Sequence, residues 1–279
     1  MISEDLQKKI NQSVKLLQSV GARTEGPIEI AYSGGKDSDV ILQLAKEAGI
    51  NYRAIYKNTT IDPPGTIKHV QAGGVEIIRP KQTFFQLVAK KGFPNRRMRF
   101  CCEALKEYKV LDKAVVGVRK SESSRRQNRY TEPTQCRYFG RAKTPKNHVE
   151  QIYPILDWTD EDVLSFITDR KLTLAPVYYT EDGTIDVTRR LGCMCCPLMS
   201  DKKRIEAFLE RPRMVRAYIR AGQKYLATHQ HTKTAQRFND AYEWFARDVL
   251  CASEKEWQKL QEEQHDYKAY LEQYFNIKL

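Results

Sequence analysis

No stretch of this chain approaches the ~18 consecutive apolar residues that a membrane-crossing helix needs, so a helical membrane span is excluded. The start, Met1-Ile-Ser-Glu-Asp, lacks a basic leader followed by an apolar segment, and the expected location is the cytoplasm. Acidic side chains are in deficit: 35 Asp and Glu stand against 47 Lys and Arg, a net charge of +12. That imbalance suits anionic partners such as nucleotides, sulfate esters or nucleic acid, without choosing among them. Signatures of RNA- or DNA-binding modules are missing. Cysteine is not scarce. Seven in a chain expected to be cytosolic argue against a disulfide framework and for metal or redox use.

The most informative stretch runs from Ile28 to Leu44. Ile28 to Tyr32 reads as a buried strand, Ser33 to Asp37 as a tight turn, and a helix opens near Ser38 with Val40, Ile41 and Leu44 as apolar positions. Ser33, Gly34 and Gly35 leave the backbone free to aim several N–H groups into one concavity, and the helix adds its positive end. Lys36 and Ser38 add a charge and a hydroxyl, and Asp37 is a candidate magnesium ligand. The spacing is not that of a Walker loop, which has four residues between its first Gly and its Gly-Lys. It resembles the PP-loop, Ser-Gly-Gly-x-Asp-Ser, of the ATP pyrophosphatase and adenylyl-sulfate reductase group.

Apolar spacing from Glu4 to Val20 predicts an amphipathic helix. Further strands are expected at Tyr52 to Tyr56, Val75 to Ile78, Ala114 to Val118 and Ile152 to Leu156. A short helix is expected from Phe84 to Ala89, another from Cys101 to about Asp112, and a third through about Arg170, capped by Thr159 with an acidic first turn. The expected fold class is therefore α/β: a mostly parallel, five-stranded twisted sheet with helices on both faces, plus a C-terminal helical section. The expected division is 1–200, holding the nucleotide and cysteine sites, and 201–279, helical.

In such sheets ligands gather outside the carboxyl ends of strands. Asn58 to Asp62 follows the second strand and reads equally as ligand contact or helix cap. After the fourth strand come Arg119, Arg125 and Arg126, suited to phosphate or sulfate, with Glu122 able to orient an arginine. From Arg119 to His148, nine Lys or Arg, including Arg141, outnumber two Glu. With Tyr130, Tyr138 and Phe139 interleaved, this arm is a candidate nucleic-acid contact, a lid over a small anion, or a plain solvated loop.

Six cysteines fall in three places: Cys101–Cys102, Cys136, and Cys193, Cys195 and Cys196 within Gly192-Cys-Met-Cys-Cys-Pro197. The Cys193–Cys196 spacing serves zinc, iron–sulfur or dithiol chemistry alike. With the vicinal pair it makes four thiolates. Zinc sites space their pairs by two or more residues, so the vicinal pair fits a cluster better than zinc.

From about residue 28 to 200 the motif order resembles the phosphoadenylyl-sulfate reductase family: Ser33 to Ser38, Arg99-Phe-Cys-Cys-Glu-Ala-Leu-Lys106, Gly117-Val-Arg-Lys-Ser-Glu-Ser123 and Gly192 to Pro197. The resemblance implies an adenine nucleotide, ATP or adenylyl sulfate, with Mg2+ on Ser33 to Ser38. It also implies a [4Fe–4S] cluster on Cys101, Cys102, Cys193 and Cys196, Lys106 between cluster and substrate, and Arg119 and Arg125 on the substrate's phosphate or sulfate. The family's reductases carry a nucleophilic cysteine in a Glu-Cys-Gly-x-His motif near the C-terminus, whereas this sequence ends Tyr274-Phe-Asn-Ile-Lys-Leu279.

The leading expectation is thus ATP cleavage to AMP and pyrophosphate, activating an acceptor, nucleic acid included, for sulfur insertion from a donor protein. Lys36, Asp37, Lys106, Arg119 and Arg125 are the expected catalytic residues, and Ser33, Gly34, Gly35, Ser38 and Asn58 complete the nucleotide set. The alternatives are a sulfonucleotide reductase using Cys136, Cys195 or an external thiol, and a non-catalytic nucleotide-binding subunit of a nucleic-acid-modifying or defence complex. Cys251 reads as a buried, inert thiol.

Overall fold

The computed structural model describes residues 2–140, 143–251 and 253–279. Arg141, part of the basic run, lies outside the described residues. In chain order the elements are α1 (Glu4–Ala22), β1 (Ile28–Tyr32), α2 (Lys36–Ala48), β2 (Tyr52–Lys57), α3 (Thr66–Ala72), β3 (Glu76–Ile78), α4 (Phe84–Lys91), α5 (Phe100–Leu105) and β4 (Lys113–Val115). Then follow α6 (Ser124–Arg129), β5 (Thr134–Tyr138), β6 (His148–Ile152), α7 (Asp160–Asp169), α8 (Asp201–Glu210), α9 (Pro212–Thr228), α10 (Ala241–Phe245), α11 (Glu254–Glu263) and α12 (Tyr267–Phe275). Met1–Asn58, Asp62–Arg79 and Leu105–Gly192 form one compact unit, and Thr59–Ile61, Pro80–Ala104 and Cys193–Leu279 a second. Among the described residues no helix is long and apolar enough to cross a membrane.

The first unit is built on a six-stranded sheet in the order β3-β2-β1-β4-β6-β5. Five strands run parallel and β5 is antiparallel to β6. β1 sits centrally, paired through Ile30 with Ala54 on one side and Val115 on the other. Flanked in this way it needs apolar residues on both faces, and Ile28, Ile30 and Tyr32 are buried. Helix α1, capped by Ser3, lays Leu6, Ile10, Leu17 and Val20 into the same core as Val40, Ile41 and Leu44 of α2 and Val163, Phe166 and Ile167 of α7. From β1 the chain winds outward to β2 and β3, then returns to place β4 on the other flank. The switch point therefore lies between the carboxyl ends of β1 and β4, where open α/β sheets bind ligands.

Three expectations need correction. The sheet has six strands rather than five, because part of the 119–148 arm forms β5 and another part α6. Thr134-Gln-Cys-Arg-Tyr138 alternates without large apolar residues, which an edge strand permits. The last parallel strand is His148–Ile152, not Ile152 to Leu156. Pro154 has no N–H to give a ladder, Tyr153 donates to Pro133 O at 2.8 Å, and Leu156 turns back to Tyr153 O. Finally, α5 stops at Leu105 instead of reaching Asp112, since tertiary partners claim the backbone beyond it. Lys57 Nζ donates to Tyr108 O at 2.8 Å, and the Leu111 N–H to Glu29 Oε2 at 3.4 Å.

The second unit packs around an aromatic cluster centred on Tyr218 of α9. Its ring lies 5.2–5.7 Å from those of Phe84, Phe85, Phe93 and Phe208. Pro212 opens α9 at a first-turn position that needs no N–H, while Gly222 lets Trp244 lie against the helix. A π-helical turn, Ala246–Leu250, follows α10, and its Val249 carbonyl accepts a bond from buried Arg204 Nε at 3.0 Å.

Candidate functional site

The turn after β1 takes its shape from residues close in sequence. Gly34 has φ +76°, a left-handed conformation that favours glycine. Gly35 caps α2 without a side chain, and Ser38 Oγ returns to Gly35 O at 2.6 Å. Lys36 is only 3% exposed, and its Nζ lies 3.0 Å from Asp37 Oδ2. Ser33, Gly35, Lys36, Asp37 and Ser38 line a cavity of about 330 Å³ at the switch point, closed opposite by Val116 and Gly117 beyond β4.

Arg119 does not face this cavity. Its side chain is 1% exposed and its donors are engaged within the fold: Nε to Asp37 Oδ1 at 2.7 Å, Nη2 to Asp160 Oδ1 at 2.7 Å, and Nη1 to Ser121 Oγ at 3.1 Å. It therefore fixes Asp37, and the acidic start of α7 helps hold it. Arg125 is exposed on α6 and does not line the cavity; its neighbour Arg126 does. Glu122 pairs with Arg126, with Oε1 3.8 Å from Arg190 Nη2, while Arg190 also donates to Glu122 O at 3.2 Å. Burial, then repulsion from Arg190, holds the Arg126 guanidinium below its usual pKa. Lys36, Arg126 and Arg190 thus present three cationic side chains to one cavity.

Sequence reasoning missed Arg190 and Tyr178, which lie far along the chain from the phosphate loop; the signal at hand was the position of Arg190 just ahead of the Cys193 motif, and Tyr178 carried none. It also missed a buried network beneath the loop, in which Tyr32 donates to Asp39 Oδ1 and His69 Nε2 lies 2.9 Å from the Tyr32 hydroxyl. Burial chiefly raises the Asp39 pKa, and His69 and Tyr32 oppose the rise. Asn58 lines neither this cavity nor a smaller one of about 140 Å³, where Lys106 joins Glu29, Ser33, Tyr56 and Lys57. Ala31 and Ser33 belong to both cavities.

The four expected cluster ligands all fall in the second unit. Cys193 Sγ lies 3.6 Å from Thr59 Oγ1, and the Met194 N–H donates to Ile61 O at 2.8 Å. A hydrogen bond to Cys102, then burial, then the nearby Cys196 push the Cys101 pKa up. Tyr218 senses Cys195, Cys196, Cys101 and Cys193, and its hydroxyl donates to Cys195 O at 3.2 Å. Among the described residues no three His, Cys, Asp or Glu side chains stand ready to hold one metal ion. Burial pushes the Cys195 thiol up to about 12 and the Cys251 thiol to about 11; Cys136, on β5, is exposed.

The chain is similar to several known proteins. An uncharacterised protein of Methanocaldococcus jannaschii is 29% identical over 206 residues, 70% of this chain and 47% of its own length. The chain thus spans about half of that relative. Sulfate adenylyltransferase subunit 2 of Chromobacterium violaceum is 26% identical over 240 residues, covering 73% of this chain and 74% of that one. Among solved structures, the U34-tRNA thiolase NcsA of Methanococcus maripaludis, with its [4Fe–4S] cluster, aligns over 98% of this chain and 90% of its own at 14% identity and a TM-score of 0.38. Residues 27–199, which carry the phosphate loop, the switch-point cavity and the Cys193 motif, match the phosphoadenosine phosphosulfate reductase domain, and the chain belongs to that family.

Proposed function

We propose that this chain binds ATP in the switch-point cavity and cleaves it between the α and β phosphates, transferring AMP to an acceptor that then receives sulfur. The observation that carries this reading is the convergence of Lys36, Arg126 and Arg190 on the end of the phosphate loop. Three cations backed by a helix start suit a polyphosphate and the charge that develops as pyrophosphate leaves. The acceptor oxygen attacks the α-phosphorus, the bond to the bridging oxygen breaks, and pyrophosphate departs with that electron pair. Asp37 gives one oxygen to Lys36 and one to Arg119, and retains lone pairs for Mg2+. Arg119 is a positioning residue in this scheme, acting through Asp37.

Cys101, Cys102, Cys193 and Cys196 would hold a [4Fe–4S] cluster, which when bound supplies a site for structural ligation or sulfur transfer. Nucleic acid is the favoured acceptor class, on the net charge of +12 and the exposed Arg125, Arg129, Lys143 and Lys146. A reductase reading would draw on the exposed Cys136 or an external thiol, because burial makes Cys195 a poor thiolate.

The deciding experiment follows pyrophosphate release from ATP, and sulfite release from adenylyl sulfate, on anaerobically purified protein. Pyrophosphate release that disappears in Lys36→Ala supports the proposal. Sulfite release without pyrophosphate release overturns it. Iron and acid-labile sulfide near four each per chain support the cluster, and a single zinc would sink that part.

A further inference from the structure

We propose that the Tyr178 hydroxyl donates a hydrogen bond directly to a phosphate oxygen of the nucleotide, which makes it a binding residue of the cradle. The inference rests on the reading of the cavity as a polyphosphate site.

Tyr178 closes a 3-10 turn, Pro176–Tyr178, and is 2% exposed, yet its side chain lines the cavity. The Leu191 N–H donates to its oxygen at 3.2 Å. A phenol has two acceptor positions and one proton. With its oxygen accepting from the Leu191 N–H, the proton points elsewhere, and among the described residues the hydroxyl donates no hydrogen bond. A buried donor without a partner is costly, and phosphate oxygens in the cavity would satisfy it. The contact is close by construction: a Cβ on Gly35 would lie 3.1 Å from the hydroxyl. Burial raises the phenol's pKa, so the group stays protonated through the neutral range.

The Leu191 N–H polarises the phenol, and the phenol carries that polarity onward as an O–H donor. Chains of this kind strengthen each member.

The test compares wild type with Tyr178→Phe by calorimetric titration of inorganic pyrophosphate, ATP and adenosine. Phenylalanine keeps the ring and removes the donor. The expected result is a loss of about tenfold to a hundredfold in pyrophosphate and ATP affinity, with adenosine affinity unchanged. As a second variant that keeps the hydroxyl, 3-fluorotyrosine at position 178 gives a more acidic phenol. Its pyrophosphate affinity should fall off at lower pH than wild type, which a purely structural role would not produce. Equal pyrophosphate affinity in wild type and a Tyr178→Phe protein with native near-ultraviolet dichroism would overturn the assignment, as would an unchanged pH profile in the fluorinated protein. Tyr178-dependent pyrophosphate binding without cleavage of ATP would leave the assignment standing and remove the cleavage reading. Failure of wild type to bind pyrophosphate or ATP would remove both.

Discussion

Replacing Arg119 by methionine separates two roles that its position in a phosphate-binding motif would blur. The guanidinium holds Asp37 and Asp160 at 2.7 Å each and Ser121 Oγ at 3.1 Å, with Trp158 O at 3.5 Å. A charge-assisted bond to a mostly buried partner such as Asp37 is worth about 1.5–3 kcal/mol. The Asp160 side chain is 47% exposed, so its share is that of a surface pair, at most about 1 kcal/mol. Arg119→Met should therefore cost about 2–4 kcal/mol, the upper part of which overlaps the usual range for breaking a buried pair. At a urea m-value of about 3 kcal/mol per molar, the midpoint moves down by about 1 M. Arg119→Lys should recover less than half of this, because an ammonium cannot bridge two carboxylates and a hydroxyl in one plane. Urea unfolding followed by far-ultraviolet dichroism is the assay. An unchanged midpoint together with a large loss of nucleotide affinity would show that Arg119 binds the ligand directly, and would refute the argument.

Gly222→Ala would bring a Cβ to 2.5 Å from the Trp244 ring, so thermal unfolding should start lower, by an overpacking cost of about 1–3 kcal/mol. Iodoacetamide at mildly alkaline pH should modify Cys136 first and Cys195 last, as read by peptide mass mapping; early Cys195 labelling would contradict its burial. Burial raises the Asp162 pKa, but bonds from Lys9 and the Thr159 backbone outweigh it and leave it lowered. A depressed carboxyl stabilises the fold above its unfolded value of about 3.9 and loses that contribution as pH falls through the folded value. The stability gap between wild type and Asp162→Asn should thus be full at neutral pH and close below about pH 4; a gap independent of pH would rule the linkage out.

Local chemistry was legible in the sequence and distant assembly was not. Strand β1, the phosphate loop and α2 follow one another in a single stretch whose apolar spacing changes from strand to helix. The Thr159 capping box likewise sits within four residues, and both of its reciprocal bonds form. Arg119 sits in a motif that speaks for anion binding, while the partners its side chain takes in the fold, Asp37 and Asp160, come from two other elements that the motif does not reveal. Tyr178 and Arg190 reach the cavity from irregular segments with no periodicity to expose them. The arm beyond Arg119 gives no strand signal of its own, because the pairing of β5 depends on a partner strand ten residues further on, not on its own polar residues. The apolar run Ile152 to Leu156 was read as a strand because burial leaves the same mark on a turn as on a strand.

The interleaving of the two units has a consequence for the order of events during synthesis. Cys101 and Cys102 belong to the same unit as Cys193 and Cys196, but translation reaches Cys193 only after 91 more residues (193 − 102 = 91). At about 5–20 residues per second, the vicinal pair leaves the ribosome about 5–20 seconds before its partners exist. For that interval two adjacent thiols stand without the aromatic shell around Tyr218, whose ring is also encoded downstream. The nascent chain is most exposed to oxidation then, and expression under reducing conditions should raise the yield of correctly assembled protein more than any change made after folding.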